Sequence, residues 1–422
     1  MSRLRWILSR LRRTLWVRVS LYALLGFAAA ILASLASRFM PWTLPIDISA
    51  DAIDSLLTII ASSMLAVTTF SVSSLTSAYG SATSNATPRA TTLLTQDQFV
   101  QSVLATFIGS FLFSIVGLVA LKVSFYGPQG RAVLFLVTIL VIVLIVLALL
   151  RWINQLTKLG RVGDTIDRVE RAASLSLQAR LDLPFLGGRP LDHVPPAAPV
   201  HAVCSTRIGY VDFIDAESLS GICDDIGADI DIRVLPGAFL YGDSVLAVIH
   251  GYADRADDDL DRRIRRAFSI GAARSFDQDP RFGIIAMSEI GLRSLSAAIH
   301  DSGTAIDVIG RQTRLMTLWS EGWGRAERDR PRHPRLRVPP LSHDDLFEDA
   351  FNLIARDAAG QIDIVARLLK ALHALTRIGP AEARRAAERQ FRIAVERADA
   401  ALTGRDDRAR LHDLVAGLGE PG

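Results

Sequence analysis

The sequence predicts a helical membrane domain of four transmembrane helices followed by a soluble α+β domain, mostly helical with a small β unit. Three observations carry that reading. Four apolar runs of spanning length fill the first 152 residues, and net positive charge is confined to that same part. The later chain passes from short alternating runs to long amphipathic ones. Residues 1–150 hold ten Lys or Arg against four acids, whereas residues 151–422 hold 37 against 40. A nearly neutral soluble part offers no broad basic face for a phosphodiester backbone, so no nucleic acid is expected as a partner.

The membrane elements follow in order. Residues 1–18 carry six Arg and no acid, and residues 19–37 then run without a charge, as a retained first span would. The second apolar run covers about 53–78, the third about 99–123 and the fourth about 132–150. Pro41 and Pro45, then Pro88, then Gly127, Pro128 and Gly130 punctuate the connections, where helices must end. Basic residues stay on the cytoplasmic side, which places the Arg-rich start inside, together with Arg151, Lys158 and Arg161 after the fourth span. Asp47, Asp51 and Asp54 fall in or beside the first outer loop. The expectation is a multi-pass protein of the bacterial inner (plasma) membrane with both termini cytoplasmic. Trp6, Trp16, Trp42 and Trp152 sit where interfacial anchors would.

The second span is unusual in chemistry. At 100° per residue, Ser55, Thr58, Ser62, Thr69, Ser73 and Thr76 fall within about 60° of one another. Leu57, Met64, Val67 and Leu75 lie opposite, on a side expected to meet lipid. A hydroxyl without a partner is costly in hydrocarbon, so the stripe should face other helices, water or both. Small polar residues that let helices approach closely are one reading. Copies of this helix around an aqueous path in a homo-oligomer are the other. No Asp, Glu, Lys, Arg or His lies between Leu56 and Gly80, so selectivity along a path would rest on hydroxyls and on mouth charges such as Asp51, Asp54 and Arg89.

Beyond the spans, the predicted divisions are a helical extension of the fourth span at 153–183, a Pro-rich linker at 184–199, an α+β cytoplasmic domain at 200–328 and a C-terminal helical region at 329–422. Ile153, Leu156, Ile166, Val169 and Leu177 carry the helical period through the extension, and five prolines mark the linker. HAVCSTRIGYVDFI reads as extended chain, and DAESLSGICDDIG as a short helix capped by Asp215. DIDIRVLPGAFLYGDSVLAVIHG reads as two strands about a Pro236-Gly237 turn. In DDDLDRRIRRAF, Asp258, Asp259 and Asp261 precede Arg262, Arg263 and Arg265 by four residues, the orientation for self-paired charges on a solvated helix face. Ser342 caps a later helix, Gly360 interrupts the region, and Gly379-Pro380 ends a further segment.

RSFDQDPRFGIIAMSEIGLRSLSAAIHDSGTAIDVI, residues 274–309, together with SNATPR, GYVDFID and PGAFLYGDSV, resembles a family of bacterial predicted membrane proteins known as a domain of unknown function with several N-terminal spans. Arg274, Gln278, Asp279, Phe282, Gly283, Glu289, Arg293, Leu295, Ser296, Asp301, Thr304 and Ala305 stand at positions matching the family pattern. His300 replaces the usual Asn, Ser302 and Ala297 replace Pro, and Ala238 replaces Asp. The resemblance implies location and fold; it brings no activity with it.

Glu289 and Arg293 are one helical turn apart and can pair; with Arg274, Asp279 and Asp301 they form a candidate cytoplasmic polar cluster. Such a cluster fixes loop geometry, holds a small ion or small-molecule ligand, or makes a subunit contact. No phosphate-loop, zinc-protease, C-x-x-C, G-x-S-x-G or dinucleotide signature occurs, so no catalytic residue, metal ligand or cofactor is assigned. Cys204 and Cys223 read as reduced and buried. Three functions stay open: an oligomeric channel- or transport-like protein with a cytoplasmic assembly and gating domain, a membrane-anchored ligand- or partner-binding module, and an enzyme centred on Glu289, Arg293 and Asp301.

Overall fold

The computed structural model describes residues 49–85, 87–95, 97–123, 128–156, 160–191, 200–251, 258–326 and 331–419, with isolated positions at 17, 20, 21, 24 and 28. The expected first span, with Trp6, Trp16 and Trp42, otherwise lies outside the described residues. So does the second half of the expected linker. The chain divides into two compact units, one comprising 7–84 and 91–164, the other 1–6, 85–90 and 165–422.

Among the described residues of the first unit, three helices are long and apolar enough to cross a membrane. They are α1 (Ala50–Asn85), α3 (Gln98–Lys122) and α4 (Pro128–Leu156), with the short α2 (Pro88–Thr95) preceding α3. Asp97 starts α3 by accepting the Phe99 N–H at 2.8 Å, satisfying one of the donors a helix start leaves open. Two apolar clusters hold the three helices together. Ile60 and Met64 of α1 meet Val103, Leu104 and Phe107 of α3 and Ile145, Ala148 and Trp152 of α4. Ile53 and Leu57 meet Phe113 and Leu134.

Three expectations are corrected here. Leu57 and Met64 are buried inside the helix packing and do not meet lipid. Trp152 is likewise buried among helices and is no interfacial anchor. In an apolar span every face suits hydrocarbon, so periodicity finds the stripe without telling which side the neighbouring helices take. The continuous helix expected from the fourth span is also interrupted. α4 ends at Leu156, Gly160 adopts φ +82°, and α5 (Val162–Asp182) begins anew.

In the second unit, α5 leads into a 3₁₀ turn at Pro184–Gly187 in which Phe185 and Leu186 are buried with φ of 53° and 56°. Phe185 sets its edge on Trp323 at 5.7 Å, and β1 (Arg189–Pro190) pairs with β8 (Leu336–Val338). The first half of the expected linker is therefore integral to the domain, because two apolar anchors outweigh the turn-forming residues around them.

The remaining strands are β2 (Val200–Cys204), β3 (Gly209–Ile214), β4 (Ile230–Ile232), β5 (Phe239–Leu240), β6 (Val245–His250) and β7 (Phe268–Gly271). They form a five-stranded sheet in the order β1-β8-β4-β6-β2 and a three-stranded sheet in the order β5-β3-β7. Between β3 and β4 lies α6 (Ala216–Ile226), where Asp215 accepts the Ser218 N–H at 3.0 Å and Gly227 turns the chain at φ +68°. The Pro236-Gly237 turn does not close a hairpin: β4 and β6 pair in one sheet, and β5 crosses to the other.

α7 (Asp258–Ala267) feeds β7, and a helical bundle completes the unit. Its members are α8 (Pro280–Ser294), α9 (Ser302–Arg325), α10 (His343–Asp357), α11 (Ile362–Leu375), α12 (Ala381–Ala401) and α13 (Arg405–Leu418). Trp319, Phe347 and Phe351 are fully buried at its centre. Gln312 donates to the Ile284 carbonyl and to Ser288 Oγ, both at 2.8 Å, and Ser288 Oγ donates to the Asp349 carbonyl, which stitches α9, α8 and α10 together. α5 docks where α8 has Gly283: a Cβ there would stand 2.6 Å from Ala173 Cβ, so only glycine admits this approach.

Candidate functional site

All six stripe residues, Ser55, Thr58, Ser62, Thr69, Ser73 and Thr76, are exposed on the single chain. The opposite side of α1 is the side used up in packing. Ser62 Oγ donates to the Thr58 carbonyl, Thr69 Oγ1 to that of Leu65 and Thr76 Oγ1 to that of Val72, each at 2.9 Å. Bonding back to the preceding turn supplies each of these hydroxyls with an acceptor and leaves its oxygen lone pairs outward. Three of the six stripe hydroxyls can thus lie in an apolar setting without an orphaned donor while presenting acceptors outward.

One end of the row opens into a cleft of about 570 Å³ lined by Ser73, Ser74, Ser77 and Ser81 with Gly160 and Arg161. Four hydroxyls and one guanidinium make this end polar. A second cleft, of about 470 Å³, runs between α3 and α4; Val103, Phe113, Leu140 and Leu144 line it, with Ser102 and Thr106 toward one end, and its chemistry suits an apolar chain.

The residues of the predicted polar cluster do not gather at one point. Asp279 caps α8, accepting the Phe282 N–H at 3.3 Å, and takes two bonds from Arg274 at 2.7 and 3.0 Å. Arg274 also lies over the Phe282 ring at 5.5 Å. Burial pushes the Asp279 carboxyl up, and the Arg274 hydrogen bonds and charge oppose that rise. Near this pair, Arg180 of α5 is buried with no hydrogen bond or ion pair of its side chain among the described residues; burial draws it down to about 10 against the attraction of Asp279. Arg281 alongside bridges Asp345 and Asp349 of α10.

Glu289 stands farther along α8 and pairs with Arg89, not with Arg293. Arg293 is exposed, and Asp301 caps α9 by accepting from the Thr304 N–H at 3.0 Å and from its hydroxyl at 2.7 Å. Some 14 residues of helix separate Asp279 from Arg293, about 20 Å at the rise of an α-helix. Arg274 and Asp279 hold the start of α8, Glu289 ties its middle and Asp301 starts α9; the five are not gathered around one point. Among the described residues, no group of three or more His, Cys, Asp or Glu is gathered as a metal would require.

The α7 face is only partly self-paired. Arg265 meets Asp261 at 2.8 Å, but Arg262 reaches Asp259 at 3.2 Å and Arg263 pairs with Asp225 of α6. Sequence reasoning missed what the rest of this face does. Arg207, Arg262, Arg265 and Arg266 converge with Ser205 and Thr206 on a cavity of about 410 Å³. The RR-x-RR spacing was visible, but the 205–207 turn opposite it comes from strand pairing that no helical period reports. Of the two cysteines, both free, Cys223 is buried and Cys204 only half-buried.

Comparison with known proteins adds the following. A family model described as predicted membrane protein (DUF2254) matches residues 12–374. An uncharacterized protein of Mycobacterium bovis and one of Mycobacterium tuberculosis are each 30% identical over 120 residues, 27% of this chain. The match spans 23% of the length of each of these relatives. No solved structure matches the chain significantly.

Proposed function

Because the chain belongs to the DUF2254 family of predicted membrane proteins, we propose that this integral membrane protein works as an oligomeric channel- or transport-like protein of the bacterial inner membrane. In this reading α1 faces the path, the second unit is a cytoplasmic assembly and gating domain, and both termini are cytoplasmic. The observation that carries it is the outward position of the Ser55-to-Thr76 stripe on the single chain, with the apolar side of α1 already consumed by α3 and α4. The three described helices, packed this tightly, leave no path among themselves, so copies around an axis would supply one. Placed there, the back-bonded hydroxyls present acceptor oxygens to a passing ion, and the polar cleft at Ser73, Ser77 and Arg161 forms a mouth.

Flux through liposomes holding the purified protein tests this. Ser62→Leu, Thr69→Leu and Ser73→Leu together should abolish or strongly reduce the flux while leaving assembly size unchanged. Wild-type liposomes no leakier than empty ones would defeat the reading. A second reading, a membrane-anchored ligand-binding module, is favoured by the arginine-lined cavity of the second unit.

A further inference from the structure

We infer that the cavity between the 205–207 turn and the end of α7 is a binding site for a phosphate ester carrying an apolar group. The inference concerns ligand binding by the second unit and does not depend on conduction through the first.

The lining makes the chemical argument. Four of the nine residues around the cavity are arginines and none is acidic. Thr206 adds an exposed hydroxyl and Ser205 a buried one, while Leu246, Phe268 and Ile270 supply apolar lining. Guanidinium groups present planar pairs of N–H donors that match phosphate oxygens, and several together satisfy a doubly charged group. The volume of about 410 Å³ lies in the range of small-molecule pockets, and the apolar lining would take a ring or a short acyl segment beside the charged end.

The arginines are positioned beforehand. Arg265 Nε donates to the Cys204 carbonyl and Nη2 to Asp261, both at 2.8 Å, which fixes the side chain while leaving other N–H groups for a ligand. Asp261 is shared with His201 at 2.8 Å, and Asp259 holds Arg262 at 3.2 Å. These two carboxylates stand on the α7 side and do not line the cavity. Arg207 has no carboxylate partner among the described residues. Its backbone is set by Ser205, whose Oγ accepts the Arg207 N–H at 3.1 Å and donates to its carbonyl at 2.7 Å. A tied-down turn thus holds an exposed cation at the mouth of a basic, partly apolar cavity.

Two sources share this chemistry, a soluble nucleotide-type phosphate and a phospholipid headgroup. Titration calorimetry on the full-length protein in detergent, with ADP, inorganic phosphate and dihexanoyl phosphatidic acid as probes, separates them. At least one ester should bind, and more tightly than inorganic phosphate because only an ester uses the apolar lining. Arg207→Ser with Arg266→Ser should weaken that binding on the order of tenfold or more, with an unchanged melting temperature in the absence of probe. Binding of phosphatidic acid alone assigns the site to lipid, and binding of ADP assigns it to a soluble ligand. If neither ester binds, or if the double variant and an Arg262→Ser variant both bind as the wild type does, the inference fails. Flux measurements are not involved, so its failure and that of the conduction reading are read separately.

Discussion

Arg89 and Glu289 form an ion pair across 200 positions of sequence, joining the SNATPR segment to the middle of α8. Both belong to the same compact unit, since 85–90 groups with the chain from Thr165 onward. Two segments that look family-like for separate reasons therefore meet in one contact. Among the described residues Glu289 Oε2 is buried with no hydrogen-bond partner, so Arg89 carries the charge compensation for a half-buried carboxylate.

The first prediction follows. Arg89 is more than half exposed, which limits the worth of the pair to the range of surface ion pairs, but its loss would leave Glu289 uncompensated. Arg89→Ala should destabilise the second unit by about 1 kcal/mol, and Glu289→Gln by less. A double-mutant cycle by denaturant unfolding should return a coupling of roughly 0.5–1 kcal/mol. Strictly additive single effects would mean the pair contributes nothing.

Gly237 offers a sharper test. It sits at φ +91°, and a Cβ there would lie 2.2 Å from Asp279 Oδ2 and 2.8 Å from Arg274 Nη2. Gly237→Ala meets both an unfavourable backbone region and the buried ion pair that caps α8. The expected loss is at least about 2 kcal/mol, read as a drop in melting temperature. A variant that melts with the wild type would show that the turn does not press on this pair.

Much of this arrangement was readable from residue order alone. Asp215 and Ser342 each cap the helix that follows, as expected of a short acceptor side chain before a helical period, and Asp279 and Asp301, expected in a polar cluster, do the same. The four short strands β1, β5, β7 and β8 were not readable, since two to four residues hold too little alternation to stand out. The dispersal of the polar cluster was hidden for a related reason. Glu289 and Arg293 are spaced to pair on α8, yet a partner 200 residues away took Glu289, and local spacing says nothing about tertiary competitors. The stripe on α1 was fully legible; its outward aspect was not, because that depends on where α3 and α4 pack.

Acid stability should carry the mark of Glu170. Burial alone would push its carboxyl up, but hydrogen bonds and charge from Arg314 and Arg311 outweigh burial and hold it below the usual glutamate range. A carboxyl held low in the folded state stabilises the fold fully above its unfolded-chain value and loses that contribution as the pH falls through the folded value. The wild type should therefore lose part of its margin over Glu170→Gln as the pH falls below about 4.5. Asp279 and Asp349 are pushed the other way by burial, so the comparison must be made against this variant and not from the wild-type curve alone. Parallel stability curves for the two proteins between pH 6 and 3 would contradict the assignment.

His300 explains one departure from the family pattern. It adopts φ +50° in the turn between α8 and α9, a region Asn and Gly tolerate better than most side chains. Restoring the usual residue with His300→Asn, or removing the side chain with His300→Gly, should raise stability by roughly 0.5–1 kcal/mol. A decrease with both would point to a contact of the imidazole that outweighs its backbone cost.

The aspect of the stripe can be read with single cysteines at Ser62, Thr69 and Ser73, after replacing Cys204 by Ser. Cys223 can stay, because it is buried and burial pushes its thiol up to about 12, which keeps it unreactive. If α1 lines an aqueous path, membrane-impermeant thiol reagents should label Ser62→Cys, Thr69→Cys and Ser73→Cys in intact proteoliposomes, and labelling should block flux. If the same row is pressed dry between neighbouring copies, the reagents should fail while oxidation links copies through these positions. A row turned to acyl tails would do neither, although a lipid-soluble maleimide would still react. The three patterns differ at every position, since Ser62, Thr69 and Ser73 are all exposed on the single chain. Only the first pattern is compatible with α1 as the wall of a conduit.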